Sequence, residues 1–244
     1  MDAPFIALRL QAVWVDARWA AHVVQTGTVL VSVGYRLAPE HPYPTPIEDC
    51  VDAIRWVHAH AQEYDWDLAS IWLSGFSVGG NMVFAAAMML HNGGLEGVNL
   101  AAIFSFYPLL DRTLSREDKY RMNPIAAEKV STPKSWDKLF VDCYLRSNPA
   151  VDLSAKYLSP GLALDEVLRE ALPTRITIMT CGWDALLEEG EVFRKRLVAP
   201  GQNVGGRIVE EAAHTFDRVP SRKPSTQMDK MYSDALVQLK EKVR

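Results

Sequence analysis

Residues 71–90 read as a strand, a glycine-bracketed turn and a helix, and this succession constrains the fold more than any other stretch of the chain. Ile71–Ser74 is an apolar run of strand length, and Val78–Leu90 is rich in alanine and methionine and is stopped by Gly93 and Gly94. Between them stands Gly75-Phe76-Ser77-Val78-Gly79, a G-x-S-x-G pattern. A serine at such a junction occupies a sharp, strained turn in which flanking side chains would collide with the neighbouring helix and strand, hence the glycines. The turn exposes the Ser77 hydroxyl, and the helix N-terminus behind it favours negative charge. The Val78 N–H can point at an oxyanion, with Gly79 beside it. The alternative is a glycine-rich turn with an incidental serine, and the flanking elements argue against it.

The same alternation runs through most of the chain. Asp16–Val24 carries Trp19, Ala20, Val23 and Val24 on one helical face, and Thr28–Val33 is a β-branched run of the kind buried on both sides in a parallel sheet. After a proline-rich turn, Thr45 as N-cap, Pro46 and Glu48 predict a capping box and a helix ending near Tyr64. Leu100–Tyr107, Arg175–Cys181 and Gly206–Glu211 are further strands, and Glu188–Val198 and Ser225–Val243 further helices. Asp111–Pro160 interrupts the alternation with charged, helical sequence, as an insertion on the loop face of a sheet does. The expectation is a mostly parallel α/β sheet in one domain over residues 1–244, with 111–160 a cap-like insertion within it.

A serine hydroxyl is a weak nucleophile without a base. Of six histidines, four precede Ser77 and His91 lies at the end of its helix, so His214, in a loop after the last strand, is the candidate base. The acid belongs after a strand end between the two, where Gly182-Trp183-Asp184 follows Arg175–Cys181. Asp184 would accept the Nδ1–H of His214; Glu188 and Glu189 compete, but acids in a first helical turn have a dipole reason to be there.

Composition excludes other classes. A net charge of -4 and a short basic cluster at Arg218, Arg222 and Lys223, read as a solvated loop, give no footprint for nucleic acid. Cys50, Cys143 and Cys181 are odd in number and lack metal-ligand spacing, so neither a zinc site nor a disulfide framework is expected. No apolar stretch is long enough to span a bilayer and no signal-peptide pattern opens the chain, which makes a cytoplasmic setting the expectation.

Tyr35-Arg36-Leu37-Ala38-Pro39-Glu40-His41-Pro42, Gly75-Phe76-Ser77-Val78-Gly79-Gly80-Asn81, Asp184 within Gly182–Gly190, and His214-Thr215-Phe216 together resemble the hormone-sensitive-lipase-like branch of the α/β-hydrolases, from about residue 16 to the C-terminus. The resemblance implies a serine esterase acting on short or medium acyl esters, with Ser77, Asp184 and His214 as its triad, no cofactor, no metal and a helical cap over the site. Trp136, Leu139, Phe140 and Tyr144 of the insertion, together with Phe76, are the candidate substrate contacts, and a homodimer is compatible with the sequence.

Two departures stand out. Phe76 occupies a position that is acidic or small in that branch. The branch's His-Gly-Gly-Gly motif, which supplies the second oxyanion donor, is absent; its position falls at Met1-Asp2-Ala3-Pro4-Phe5, and Pro4 has no N–H to offer. The branch's early strands are expected to be missing with it. A truncated product, a hole completed by other groups and a degenerate enzyme are the three readings, and losing one donor lowers kcat by about 10²–10³. A non-catalytic small-molecule-binding protein on the same scaffold is the alternative from another class. A peptidase lacks support, since no propeller domain is indicated.

Overall fold

The computed structural model describes residues 6–10, 17–93, 98–129, 134–145, 150–198, 202–218 and 225–240. In chain order they form β1 (Ile6–Leu10), α1 (Ala17–Val24), β2 (Val29–Val33), α2 (Thr45–His60), β3 (Ile71–Phe76), α3 (Val78–Asn92), β4 (Leu100–Phe106), α4 (Arg116–Met122), α5 (Pro124–Lys129), α6 (Lys134–Leu145), α7 (Asp165–Ala171), β5 (Arg175–Trp183), α8 (Leu187–Val198), β6 (Asn203–Gly205), β7 (Ile208–Ala213) and α9 (Thr226–Lys240). The sheet runs β2-β1-β3-β4-β5-β6, with β7 also on β5, and every one of these pairings is parallel. The nine-residue β5 takes two partners in succession: Arg175–Thr177 pairs with β6, and Thr180–Trp183 pairs with β7.

Strand alternation sorts the core into two layers. Ile71 and Leu73 of β3 and Ile103 of β4 face α2, α3, α7 and α8, joining Ile47, Val51, Ile54, Leu168 and Leu197. Trp72 and Phe76 of β3 and Ala102, Phe104 and Phe106 of β4 face α1 and α9, joining Trp19, Val23, Met231 and Tyr232. Covering both sides is what lets the strands be apolar throughout; all six residues of β3 are buried.

Three elements go beyond the sequence reading, which assigned no strand before residue 16. β1 lies between β2 and β3, with Leu10 paired to both Val33 and Gly75. Five residues interrupted by Arg9 are too short to show a period. β6 has three residues, and α7 follows the insertion. The expected capping box at Thr45 does not form: the helix starts one residue early, with Pro44 at the N-cap and no side-chain cap. The Pro44 carbonyl instead takes the N–H groups of Ile47 and Glu48 at 2.9 and 3.2 Å.

In a parallel sheet all strands end at one edge, and ligand sites of open α/β sheets lie outside those carboxyl ends. Phe76 pairs with Phe106 across β3 and β4, and Trp183 pairs with Ala213 across β5 and β7. Ser77, Tyr107, Asp184 and His214 are therefore each the first residue beyond a strand. The segment 111–160 makes contacts at this same edge. The Asn123 amide of the α4–α5 junction donates to the carbonyls of Gly182 and Asp184 at 3.0 and 2.9 Å. Lys119 of α4 pairs with Glu189 of α8 at 2.6 Å, both buried. The Tyr43 N–H, in the turn after β2, donates to the Tyr144 carbonyl of α6 at 2.8 Å. Among the described residues no helix is long and apolar enough to cross a membrane.

Candidate active site

Ser77 sits at φ 55°, ψ −116°, a left-handed conformation that non-glycine residues seldom adopt. Such strain persists where surrounding structure over-determines it. The Ser77 N–H donates to the Phe106 carbonyl at 2.9 Å, and its own carbonyl accepts the Asn81 N–H at 3.1 Å. A Cβ on Gly75 would stand 2.1 Å from the Gly79 carbonyl oxygen, so the first motif glycine is demanded by the last. At Gly80 a Cβ would meet Ser105 Oγ at 2.8 Å, which explains how α3 approaches β4 so closely.

The turn brings Ser77 Oγ to 2.8 Å from His214 Nε2, across 137 residues. His214 Nδ1 lies 2.6 Å from Asp184 Oδ2, and the other Asp184 oxygen accepts the Leu186 N–H at 3.0 Å. Asp184 is 2 % exposed. Burial pulls the His214 imidazole down, but the charge and hydrogen bond of Asp184, with the charge of Asp217, outweigh it and hold the group above the usual histidine value. The serine hydroxyl thus faces a base whose far nitrogen donates to a buried carboxylate, a geometry suited to moving one proton off Ser77. Glu189, the competing acid, accepts the Leu110 N–H at 2.6 Å and pairs with Lys119. It anchors α4 to the body.

The Val78 and Gly79 N–H groups belong to the first turn of α3, where an α-helix has no internal acceptors. Residues 1–5, where the resemblance places the His-Gly-Gly-Gly motif, lie outside the described residues. The strand that follows them begins at Ile6, paired with Ile71 at the end of β3 farthest from Ser77. The neighbouring strand end on the nucleophile's side is Leu10, paired with Gly75. The segment that leaves it, residues 11–16, is also outside the described residues.

The expected substrate contacts divide. Phe76 is 1 % exposed and stacks on Phe106 at 4.4 Å, with the Arg218 guanidinium 4.6 Å from its ring. Strand alternation turns it into the aromatic layer, so it packs the turn from behind instead of meeting a substrate. The same contact takes Arg218 out of the solvated cluster expected of it; Arg222 and Lys223 lie outside the described residues. Phe140 is 61 % exposed on α6, beside the exposed Leu139. Tyr144 is half-buried under the Arg112 guanidinium, and burial pushes its phenol up to about 12. The side chain of Trp136 is outside the described residues. Missing from the sequence reading were Asn123, which holds the β5 end, and Tyr107, whose ring meets His214 edge-on at 5.0 Å. Tyr107's place at the C-terminal end of the expected strand Leu100–Tyr107 was the one signal for it. Among the described residues no group of three or more His, Cys, Asp or Glu could hold a metal ion.

Comparison with known proteins fits this geometry. A carboxylesterase of Mycobacterium tuberculosis, NlhH, is 33 % identical over 186 residues, covering 75 % of this chain and 55 % of its own. An arylesterase of Saccharolobus solfataricus is 30 % identical over 187 residues, 77 % of this chain and 57 % of its own. The chain thus spans a little over half the length of these two relatives. A thermostable esterase of Pseudomonas putida superposes with a TM-score of 0.85 over the whole of this chain and 76 % of its own at 24 % identity, a likeness of fold. The family model of the alpha/beta hydrolase fold matches residues 5–218, which takes in β1, the Ser77 turn, Asp184 and His214. By that match, and by the parallel sheet that carries these residues on its strand ends, the chain belongs to the alpha/beta hydrolase fold family.

Proposed function

We propose that the chain hydrolyses carboxylic esters of short or medium acyl chains through an acyl-enzyme on Ser77. The carrying observation is the unbroken Ser77–His214–Asp184 hydrogen-bond chain of 2.8 and 2.6 Å. His214 Nε2 takes the hydroxyl proton as Ser77 Oγ attacks the ester carbonyl carbon, and the C=O electron pair moves onto oxygen. That oxygen meets the N–H groups of Val78 and Gly79 at the positive end of the α3 dipole. Collapse expels the alcohol, which takes its proton from His214. Water then repeats the sequence on the acyl-serine, with His214 again as base, and releases the acid. Asp184 keeps Nδ1 protonated throughout and stabilises the imidazolium. The curated relatives named as carboxylesterases and arylesterases support the reaction class. Segment 111–160 acts as a cap, and its contacts at the strand-end edge support that role. Of its expected acyl contacts we retain Trp136, Phe140 and Tyr144.

Turnover of p-nitrophenyl acetate and butyrate tests the reading, with Ser77→Ala as control. Hydrolysis that disappears in the variant supports it. Hydrolysis that persists in Ser77→Ala, or a wild type that turns over neither ester, rejects it.

A further inference from the structure

His214 is braced by a second carboxylate that the triad does not use. Asp217 lies three residues downstream, in the short 3-10 turn Phe216–Arg218, and is 8 % exposed. Both of its oxygens are taken: the Tyr107 hydroxyl donates to Oδ1 at 2.6 Å and the Tyr232 hydroxyl donates to Oδ2 at 2.7 Å. Tyr107 comes from the end of β4 and Tyr232 from α9, so one carboxylate ties the His214 loop to two separate elements. Both phenols are fully buried and both belong to the aromatic layer. Burial, with the nearby Asp217 charge, holds the Tyr107 phenol far above its usual value, so it remains a donor at all working pH values.

The clamped backbone needs holding. Tyr107 has φ 38° and Thr215, next to His214, has φ 58°, both in the left-handed region. The Tyr107 N–H donates to the Met179 carbonyl at 2.6 Å, and the Arg218 N–H to the Thr215 carbonyl at 2.9 Å. Among the described residues the Asp217 carboxylate accepts from two neutral hydroxyls, while the Arg218 Nε–H donates to the same Tyr107 oxygen at 3.4 Å; a buried carboxylate is expensive to retain, which calls for a use.

We propose that Asp217 is a positioning residue for His214, a second carboxylate that Tyr107 and Tyr232 clamp so that it fixes the His214 loop and keeps its own charge within that loop. The inference deepens the esterase reading and rests on it for its consequence in catalysis. Among the described residues, the groups around His214 are Ser77 from the start of α3, Tyr107 from the end of β4, Asp184 from the end of β5, and Asp217 and Arg218 from its own loop, with Tyr232 of α9 bonded to Asp217. The charge of Asp217 raises the His214 titration and that of Arg218 lowers it, so the two neighbours oppose each other.

The experiment is an NMR titration of the His214 ring in the full chain, its signal assigned by loss in His214→Gln, alongside the pH profile of kcat/KM. Asp217→Asn is expected to lower the His214 midpoint by about half a pH unit or more, and to carry the acid limb of the profile down with it. Arg218→Gln is expected to raise both. A midpoint in Asp217→Asn that coincides with wild type, even with lower activity, overturns the assignment and leaves Asp217 structural. If Asp217→Asn does not fold, Tyr232→Phe decides, because it frees one oxygen of Asp217: a His214 midpoint that moves supports the clamped carboxylate, and one that coincides with wild type overturns it. The titration needs no turnover. A midpoint that moves in a protein without esterase activity would therefore uphold Asp217 while rejecting the proposed reaction.

Discussion

On one face of the sheet the core is largely aliphatic, with Ile47, Ile54, Leu73, Ile103, Ile176 and Leu197 beneath α2, α3, α7 and α8. On the other it is largely aromatic, with Trp19, Trp72, Phe76, Phe104, Phe106 and Tyr232 beneath α1 and α9. The aliphatic layer holds α3 and with it the Ser77 turn. The aromatic layer ends in groups that touch the site: Phe76 and Phe106 stack at the strand ends, Tyr107 meets His214, and Tyr232 reaches Asp217. Rings suit this because they pair at defined angles, and phenol hydroxyls give a dry core a polar tip. The aromatic face thus reaches the His214 loop and, through Phe76, the back of the Ser77 turn, whereas the aliphatic face holds the body of α3.

The largest effect expected leaves both layers intact. Asp184→Asn removes no core volume but deprives His214 of its acceptor, so kcat on p-nitrophenyl butyrate should fall by about 10⁴ with an unchanged thermal midpoint. A fall below tenfold would mean another acid supports His214. Next comes a matched truncation on each face. Phe84→Ala in the aliphatic layer, where Phe84 packs edge-on against Phe193 at 5.1 Å, and Phe76→Ala in the aromatic layer should each lower stability by about 3–5 kcal/mol. Only Phe76→Ala should also lower kcat, by about tenfold, because it loosens the turn and the strand end beside His214. Equal kcat losses, measured below the melting range, would erase the distinction between the faces.

The smallest effect is the pH dependence of His214. Its value in the fold is raised, so protons bind the folded state more tightly than the unfolded one. The resulting stabilisation is fully present below the unfolded value of about 6.5 and is lost as pH rises through the higher folded value. Activity runs the other way, since the base must be neutral, and the acid limb of kcat/KM should lie above pH ~6.5. Thermal midpoints of wild type and His214→Gln across this range, beside the activity profile, check both signs. A pH-independent difference between the two proteins would contradict the shift.

The meeting of Ser77, His214 and Asp184 was legible because each sits in a local signal: Ser77 between glycines at a strand–helix junction, Asp184 and His214 just past strands that read as strands. Phe76 misled because it stands next to Ser77, while alternation along β3 turns its ring to the rear with Trp72. The Asp217 clamp was illegible. Tyr107 and Asp217 are 110 residues apart, and their meeting depends on two left-handed backbone positions that no periodicity reveals. β1 escaped for want of length, and with it the fact that the strand end neighbouring the Ser77 turn is Leu10, paired with Gly75.

An activated serine is the claim on which the rest depends, and active-site labelling reads it without choosing a substrate. A fluorophosphonate probe should modify wild type at Ser77 alone, to about one equivalent, at a rate that falls as pH drops through the His214 value, and should leave Ser77→Ala unlabelled. Labelling of Ser77→Ala equal to wild type, or a folded wild type that does not react, would contradict it.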